Sequence, residues 1–399
     1  MFAPAETTTD TLAGVTVGAR NAELADLAAI LKDQRSRAVD VVAPSTSLGL
    51  DDDGRLTIAG AEPVIDDTGV DDPNGAYRLT DVGEDTLAAR LNVPAGYLRR
   101  MIADRPDIAG AIVNGTLHGG WAGTPLPLGD DDAGYPADDR RHLVRLLRGD
   151  DDVGVARAIL SDRYRIVDNL DVLLAALDGI RATGRTVDID GADLTTRNMT
   201  VRVRCPEVAA VAEQFLDGYR SPFTGEQSDG TVFAGFVIRN SETGSGALSI
   251  APRVIVQVCS NGMTVGRDAF RRVHLGARLD EGVVKWSDAT KRKVVELARS
   301  QAADAVESFL DPDYLADVVA RFDDAAGDPI TDRDTARQVL ADSAFTHAET
   351  DDILAHFAAG GQATRGGLAS AVSSYARALP DADAAYDAEE TATRILAAA

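Results

Sequence analysis

The stretch TVFAGFVIRNSETGSGALSIAPRVIVQVC, residues 231–259, decides the fold class. Two apolar runs, Thr231–Arg239 and Ala247–Cys259, flank the polar segment Asn240-Ser241-Glu242-Thr243-Gly244-Ser245-Gly246. β-Branched and aromatic residues suit a pleated, half-buried surface, and Asn and Gly accept the backbone angles of a turn. The pattern predicts a β-hairpin. Its glycines join strand to strand, so they are not the dinucleotide fingerprint, which joins strand to helix.

Working outward, Met199–Cys205 reads as another strand, with Thr200, Arg202 and Arg204 on the face opposite Val201 and Val203. A helix is expected from Pro206 to Tyr219. Upstream lie strands at His142–Leu147 and Val153–Leu160 and an amphipathic helix at Asp168–Ile180, N-capped by Asp168 or Asn169. Nearer the start come a short helix at Ala22–Leu31 and short strands within Ala38–Ala59. Three helices follow at Glu84–Leu91, Ala95–Ile102 and Asp107–Leu117. Residues 118–139, rich in Gly, Pro and Asp, read as a long loop. After Trp286 the texture turns helical, with Val295, Ala298, Ala302, Val306 and Phe309 at helical spacing in Ser287–Leu310. Helices continue over 313–325, 333–342, 349–358 and 366–378. The expectation is an α+β fold: a mainly antiparallel sheet body with flanking helices and a helical C-terminal part. Its divisions are a flexible tail (1–20), an N-terminal α/β subdomain (21–137), a central sheet-rich region (138–285) and a helical C-terminal region (286–399).

The chain of 399 residues is 45% hydrophobic but only 5% aromatic, so its core must be built from Ala, Val, Leu and Ile. Its net charge is −24, with only four lysines, Lys32, Lys285, Lys291 and Lys293. Residues 1–137 carry net −12, residues 138–300 net +1 and residues 301–399 net −13, so the middle is electrically distinct. No apolar run reaches the length of a membrane span, and no membrane partner is expected. The acidic opening Met1–Asp10 lacks the features of a secretory leader, and two cysteines make no disulfide framework, so a cytoplasmic address is expected.

Several runs carry a resemblance. Residues 233–248 (FAGFVIRNSETGSGAL), Val258-Cys-Ser-Asn-Gly-Met263, Arg272-Val-His-Leu-Gly276, Ile159-Leu-Ser-Asp-Arg-Tyr-Arg-Ile-Val-Asp-Asn169 and Leu91-Asn-Val-Pro-Ala-Gly-Tyr97 resemble the phage- and plasmid-borne family called domain of unknown function 932. The likeness spans roughly residues 80–310 and implies a mobile-element protein. It brings no established activity and no catalytic residues.

No catalytic constellation is legible. Cys205 and Cys259 read as buried core thiols, and with five histidines they show no zinc spacing. Asp51-Asp52-Asp53-Gly54 leads to Glu62 at EF-hand distance, but Leu56 occupies the required glycine position. No metal and no cofactor are therefore expected. The candidate binding residues are arginines on strand-like segments: Arg163, Arg165, Arg202, Arg204, Arg239, Arg271 and Arg272, with His274. Guanidinium forks suit phosphates, so these groups would form a basic groove if they met on one open sheet face. The competing reading pairs them with local carboxylates such as Asp162, Asp168 and Asp268. Asn240, Ser241, Gly244, Asn261 and Gly262 are candidate loop residues, read first as turn formers and second as ligand-contacting. Three functions follow: an accessory protein that binds or anneals single-stranded nucleic acid; a protein-binding or homo-oligomeric module, including an acidic DNA mimic; and a metal-dependent nuclease.

Overall fold

The computed structural model describes residues 2–66, 69–119, 137–164, 166–258, 262–272 and 288–397. The expected hairpin is present: Thr231–Asn240 pairs antiparallel with Leu248–Val256, with Ile238 opposite Ile250 and Val232 opposite Val256. It forms the centre of an eight-stranded antiparallel sheet. From one edge the order is Thr8–Leu12, Val15–Ala22, Asp188–Leu194, Met199–Val211, Thr231–Asn240, Leu248–Val256 and Gly262–Thr264, with Phe270–Arg272 also pairing to Leu248–Val256. The stretch expected to be a loose tail thus supplies two strands.

The expected helix after Pro206 is not formed. Met199–Val211 runs on as one strand, and its register against Thr231–Asn240 shifts between Cys205 and Ala209. Pro206 sits in this bulge, where a residue without an N–H costs no ladder bond.

A second sheet of six strands runs Ala38–Pro44, Arg141–Leu147, Val153–Ser161, Gly75–Leu79, Leu56–Ile58 and Leu48–Leu50. It is antiparallel except where Val153–Ser161 meets Gly75–Leu79. It draws strands from both sides of the boundary expected at residue 137. Helices Asp81–Leu91, Ala95–Asp104 and Pro106–His118 cover one face and bury Leu87, Leu98 and Val113 against it.

The large sheet is covered on both faces. On one, Val201, Val203, Phe236 and Ile250 share a core with Leu173 of the helix Asn169–Thr183 and Val306 of Asp288–Phe309. The other face meets the closing helix, Ala382–Ala397, whose Tyr386 packs on Val237 and Ala251. Helices Pro312–Ala326, Arg333–Asp342, His347–Gly360 and Arg365–Ala378 complete the helical C-terminal part. Among the described residues, no helix is long and apolar enough to cross a membrane.

Candidate functional site

Alternation along Met199–Val211 puts Arg202 and Arg204 opposite Val201 and Val203, as their spacing requires. That face is not open. Arg202 is 5% exposed and lies beneath the closing helix, where its Nε donates to Glu389 Oε1 at 3.0 Å and its Nη1 donates to Asp193. Asp193, wholly buried, also accepts from Arg20 Nη1 at 2.8 Å and from the Asn21 backbone N–H at 2.8 Å. Arg253, from the next strand but one, reaches the same Glu389 Oε1 at 3.0 Å. Burial works against the Arg202 charge, but Glu389 and Asp193 outweigh it and its pKa is raised. Burial likewise opposes the Asp193 charge, and Arg202 and Arg20 hold its carboxyl below the usual range. For Arg253 burial wins over Glu389, and its pKa is lowered.

The other arginines on this face are paired at its margins. Arg239 donates to Asp383 at 2.8 Å, lies 3.4 Å from Asp387 and stacks its guanidinium 4.2 Å from the centre of the Tyr386 ring. Arg204 pairs with Asp188 at 2.9 Å and Asp190 at 3.3 Å. The expected basic groove is thus replaced, at Arg202, Arg204 and Arg239, by ion pairs whose acids come from a neighbouring strand and the closing helix.

The hairpin turn is a second surprise, because its first half, Asn240 to Thr243, is buried while Gly244 to Gly246 are exposed. Asn240 and Ser241 have no exposed surface, and Thr243 has 3%. Asn240 Nδ2 donates to the Val167 carbonyl (2.9 Å) and to Asn169 Oδ1 (2.8 Å), while Ser241 Oγ accepts from the Ser245 N–H. Glu242 accepts from Arg157 Nη1 through Oε2 and from the Asn169 N–H through Oε1, both at 2.5 Å. Arg145, 2% exposed, donates to the Glu242 carbonyl at 3.0 Å, to both oxygens of Asp40 and to Asp168 at 3.0 Å. Gly244 has φ +83°, and a Cβ there would stand 2.9 Å from Leu160. The turn therefore bolts the large sheet to the second sheet, which holds Arg145 and Arg157. Residues 159–169 and 233–248 meet here.

Gly262 has a packing role. A Cβ at this position would lie 2.0 Å from Arg253 Nη2, so the guanidinium rests directly on the bare backbone.

Arg163 is exposed at the turn after Val153–Ser161, on the second sheet, apart from Arg202. Arg271 and Arg272 fall in the strand Phe270–Arg272, and their side chains lie outside the described residues. Arg165, Asn261, His274 and Cys259 lie outside the described residues. Cys205 is buried, and burial pushes its thiol pKa up, which disfavours a nucleophilic thiolate. The competing reading of paired arginines holds at Asp168, which pairs with Arg145, and at Asp268, which lies 3.4 Å from Arg267 and 3.0 Å from Arg321.

One grouping invisible in the sequence is Ser45, His142 and Asp138. Ser45 Oγ lies 2.8 Å from His142 Nε2 and 2.8 Å from Asp138 Oδ2. A hydrolase triad places its carboxylate on the opposite ring nitrogen, Nδ1, and its hydroxyl in reach of substrate. Here both groups face Nε2, and Ser45 has no exposed surface. The trio is a buried polar knot. Among the described residues, no group of three or more His, Cys, Asp and Glu side chains is placed to hold a metal ion.

No family model, no curated protein and no solved structure matches the chain.

Proposed function

We propose that this chain is a non-catalytic binding protein, of mobile-element type, that engages a cationic partner through its carboxylate-rich exterior. The partner chemistry is a lysine- and arginine-rich protein face of the kind that otherwise binds DNA.

One observation carries this reading. Among the described residues, five arginines are buried (Arg20, Arg145, Arg157, Arg202, Arg253) against three carboxylates (Asp193, Glu242, Glu389). The interior takes up an excess of positive charge, and the outside is more acidic than the total of −24 implies. Such a surface attracts a basic partner over long range and repels a polyanion. A phosphate ligand at Arg202 or Arg253 would have to break a buried ion pair, which costs about 3–5 kcal/mol.

The test uses a fluorescent single-stranded oligonucleotide and a small basic DNA-binding protein. The chain alone leaves the oligonucleotide's anisotropy unchanged at low salt. Added to the preformed complex, it displaces the oligonucleotide from the basic protein, and the effect fades between about 50 and 200 mM salt. Direct binding of the oligonucleotide, weakened by Arg163→Ala with Arg239→Ala, would restore the nucleic-acid reading.

A further inference from the structure

A cavity of about 740 Å³ lies between the helix Pro312–Ala326, the closing helix Ala382–Ala397 and the turn Gly266–Asp268. That is the size of a small-molecule site, and its build is the usual one for such sites: apolar surface with a few convergent polar groups. The apolar lining is Val265, Phe322, Ala325 and Leu396, all buried. Each of the three elements also sends a guanidinium to the lining: Arg267 from the turn, Arg321 from Pro312–Ala326 and Arg394 from the closing helix. The grouping runs against the trend of the chain, whose residues 301–399 hold only six basic side chains.

The protein does not use these guanidiniums up. Arg394 is exposed, enters no ion pair among the described residues, and donates through Nη2 to the neutral hydroxyl of Thr391. Arg267 and Arg321 share Asp268, which is outside the lining: Arg267 Nε lies 3.4 Å from Oδ1, and Arg321 Nη2 donates to Oδ2 at 3.0 Å. Tyr314 O–H holds the same Oδ2 at 2.9 Å. A guanidinium has five N–H donors, so one shared carboxylate sets the two side by side and leaves most of their donors open. Two carboxylates also line the cavity. Glu390 accepts from Tyr386 O–H at 3.1 Å and rests on the bare backbone of Gly266, where a Cβ would stand 2.6 Å from its Oε1. Asp324 is exposed. Three guanidiniums against two carboxylates leave one positive charge in the lining, the complement of a singly charged anion.

We propose that this cavity binds a small organic carboxylate with an apolar body. Arg321 and Arg394, with Arg267, take the head group, and Val265, Phe322 and Leu396 take the body. The site is separate from the acidic exterior that meets a cationic partner, so either reading stands without the other.

The probe is a dansyl-labelled medium-chain fatty acid, titrated below its micelle concentration and followed by fluorescence. The same chain ending in a methyl ester, an amine or a phosphate supplies the comparison arms. The acid is expected to bind one per chain, at least about tenfold more tightly than the ester or the amine, and more tightly than the phosphate, whose second charge faces Asp324 and Glu390. Arg321→Gln with Arg394→Gln, both at exposed positions, is expected to weaken the acid about tenfold and leave the ester unchanged. Asp324→Asn, also at an exposed position, is expected to strengthen the acid several-fold, which keeps the test open should the arginine variant fold poorly. Equal binding of acid and ester, tighter binding of the amine or the phosphate, or full binding of the acid by a folded arginine variant overturns the proposal. So does weaker binding of the acid by Asp324→Asn, or no binding by the wild type.

Discussion

Glu389 Oε1 accepts from Arg202 Nε at 3.0 Å across a sequence separation of 187 residues. It lies 3.0 Å from Arg253 Nη2 as well, so one carboxylate on the last helix neutralises arginines of two strands. Removing one member of such a buried cluster leaves an uncompensated charge. Glu389→Ala is expected to cost about 3–5 kcal/mol of folding stability in urea unfolding. The apolar pair Arg202→Met with Glu389→Leu is expected to cost less than the sum of its single changes.

Gly262→Ala is expected to cost about 1–3 kcal/mol, because the new methyl would occupy the place of the Arg253 guanidinium. Arg253 has a flexible stem, but it is 3% exposed and tied to Glu389, so it has nowhere to move. Gly96→Ala is the control. It lies in the helix Ala95–Asp104 with nothing within 4 Å, and it is expected to stabilise by up to about 1 kcal/mol.

His356 is expected to shape the acid limb of stability. It is buried, stacked 3.7 Å from Phe2, and bonded through Nδ1 to Ser374 Oγ at 2.7 Å. Burial pushes its pKa down to about 4. A group whose pKa is lower folded than unfolded leaves stability intact above the unfolded value, about 6.5, and removes it as pH falls toward the folded one. The thermal midpoint should therefore decline between about pH 6.5 and 4. His356→Gln should be less stable at pH 7 and show a flatter decline. An identical pH dependence in the variant would rule out His356 as its source.

Glu242→Gln is expected to loosen the junction between the sheets. Its carboxylate ties Arg157 and the start of the helix Asn169–Thr183 to the hairpin turn. Hydrogen exchange should speed up in residues 240–246 and 166–170, with little change in the helices over the second sheet's far face.

Much of the architecture was legible because it is local. The hairpin follows from two β-rich runs around an Asn/Gly turn, and the direction of Arg202 follows from period two. The bulge at Pro206 was not legible, because proline opens helices as readily as it marks bulges, and only the pairing with Thr231–Asn240 decides. The larger miss was the covering of the arginine face. Arg202 lies 187 residues from Glu389 and Arg20 lies 173 from Asp193, and no spacing rule reaches that far. A weaker signal was present: Asp383 and Asp387, one helical turn apart after Pro380 among alanines, mark an acidic helix stripe in need of cations, though Glu389 lies off that stripe. The buried first half of the turn misled for a similar reason. Asn240 to Gly244 has the composition of an exposed loop, and only the second sheet's Arg145 and Arg157 explain why Glu242 is inside.

The central claim is that Arg202 and Arg253 of the large sheet and Arg145 of the second sheet are committed inside the protein. It is tested most directly by mapping arginine modification with phenylglyoxal on the native chain by mass spectrometry. Arg163 and Arg100, both exposed, should react readily, while Arg202, Arg253 and Arg145 stay unmodified until the chain unfolds. Reaction of Arg202 and Arg253 at the rate of Arg163 would contradict the account.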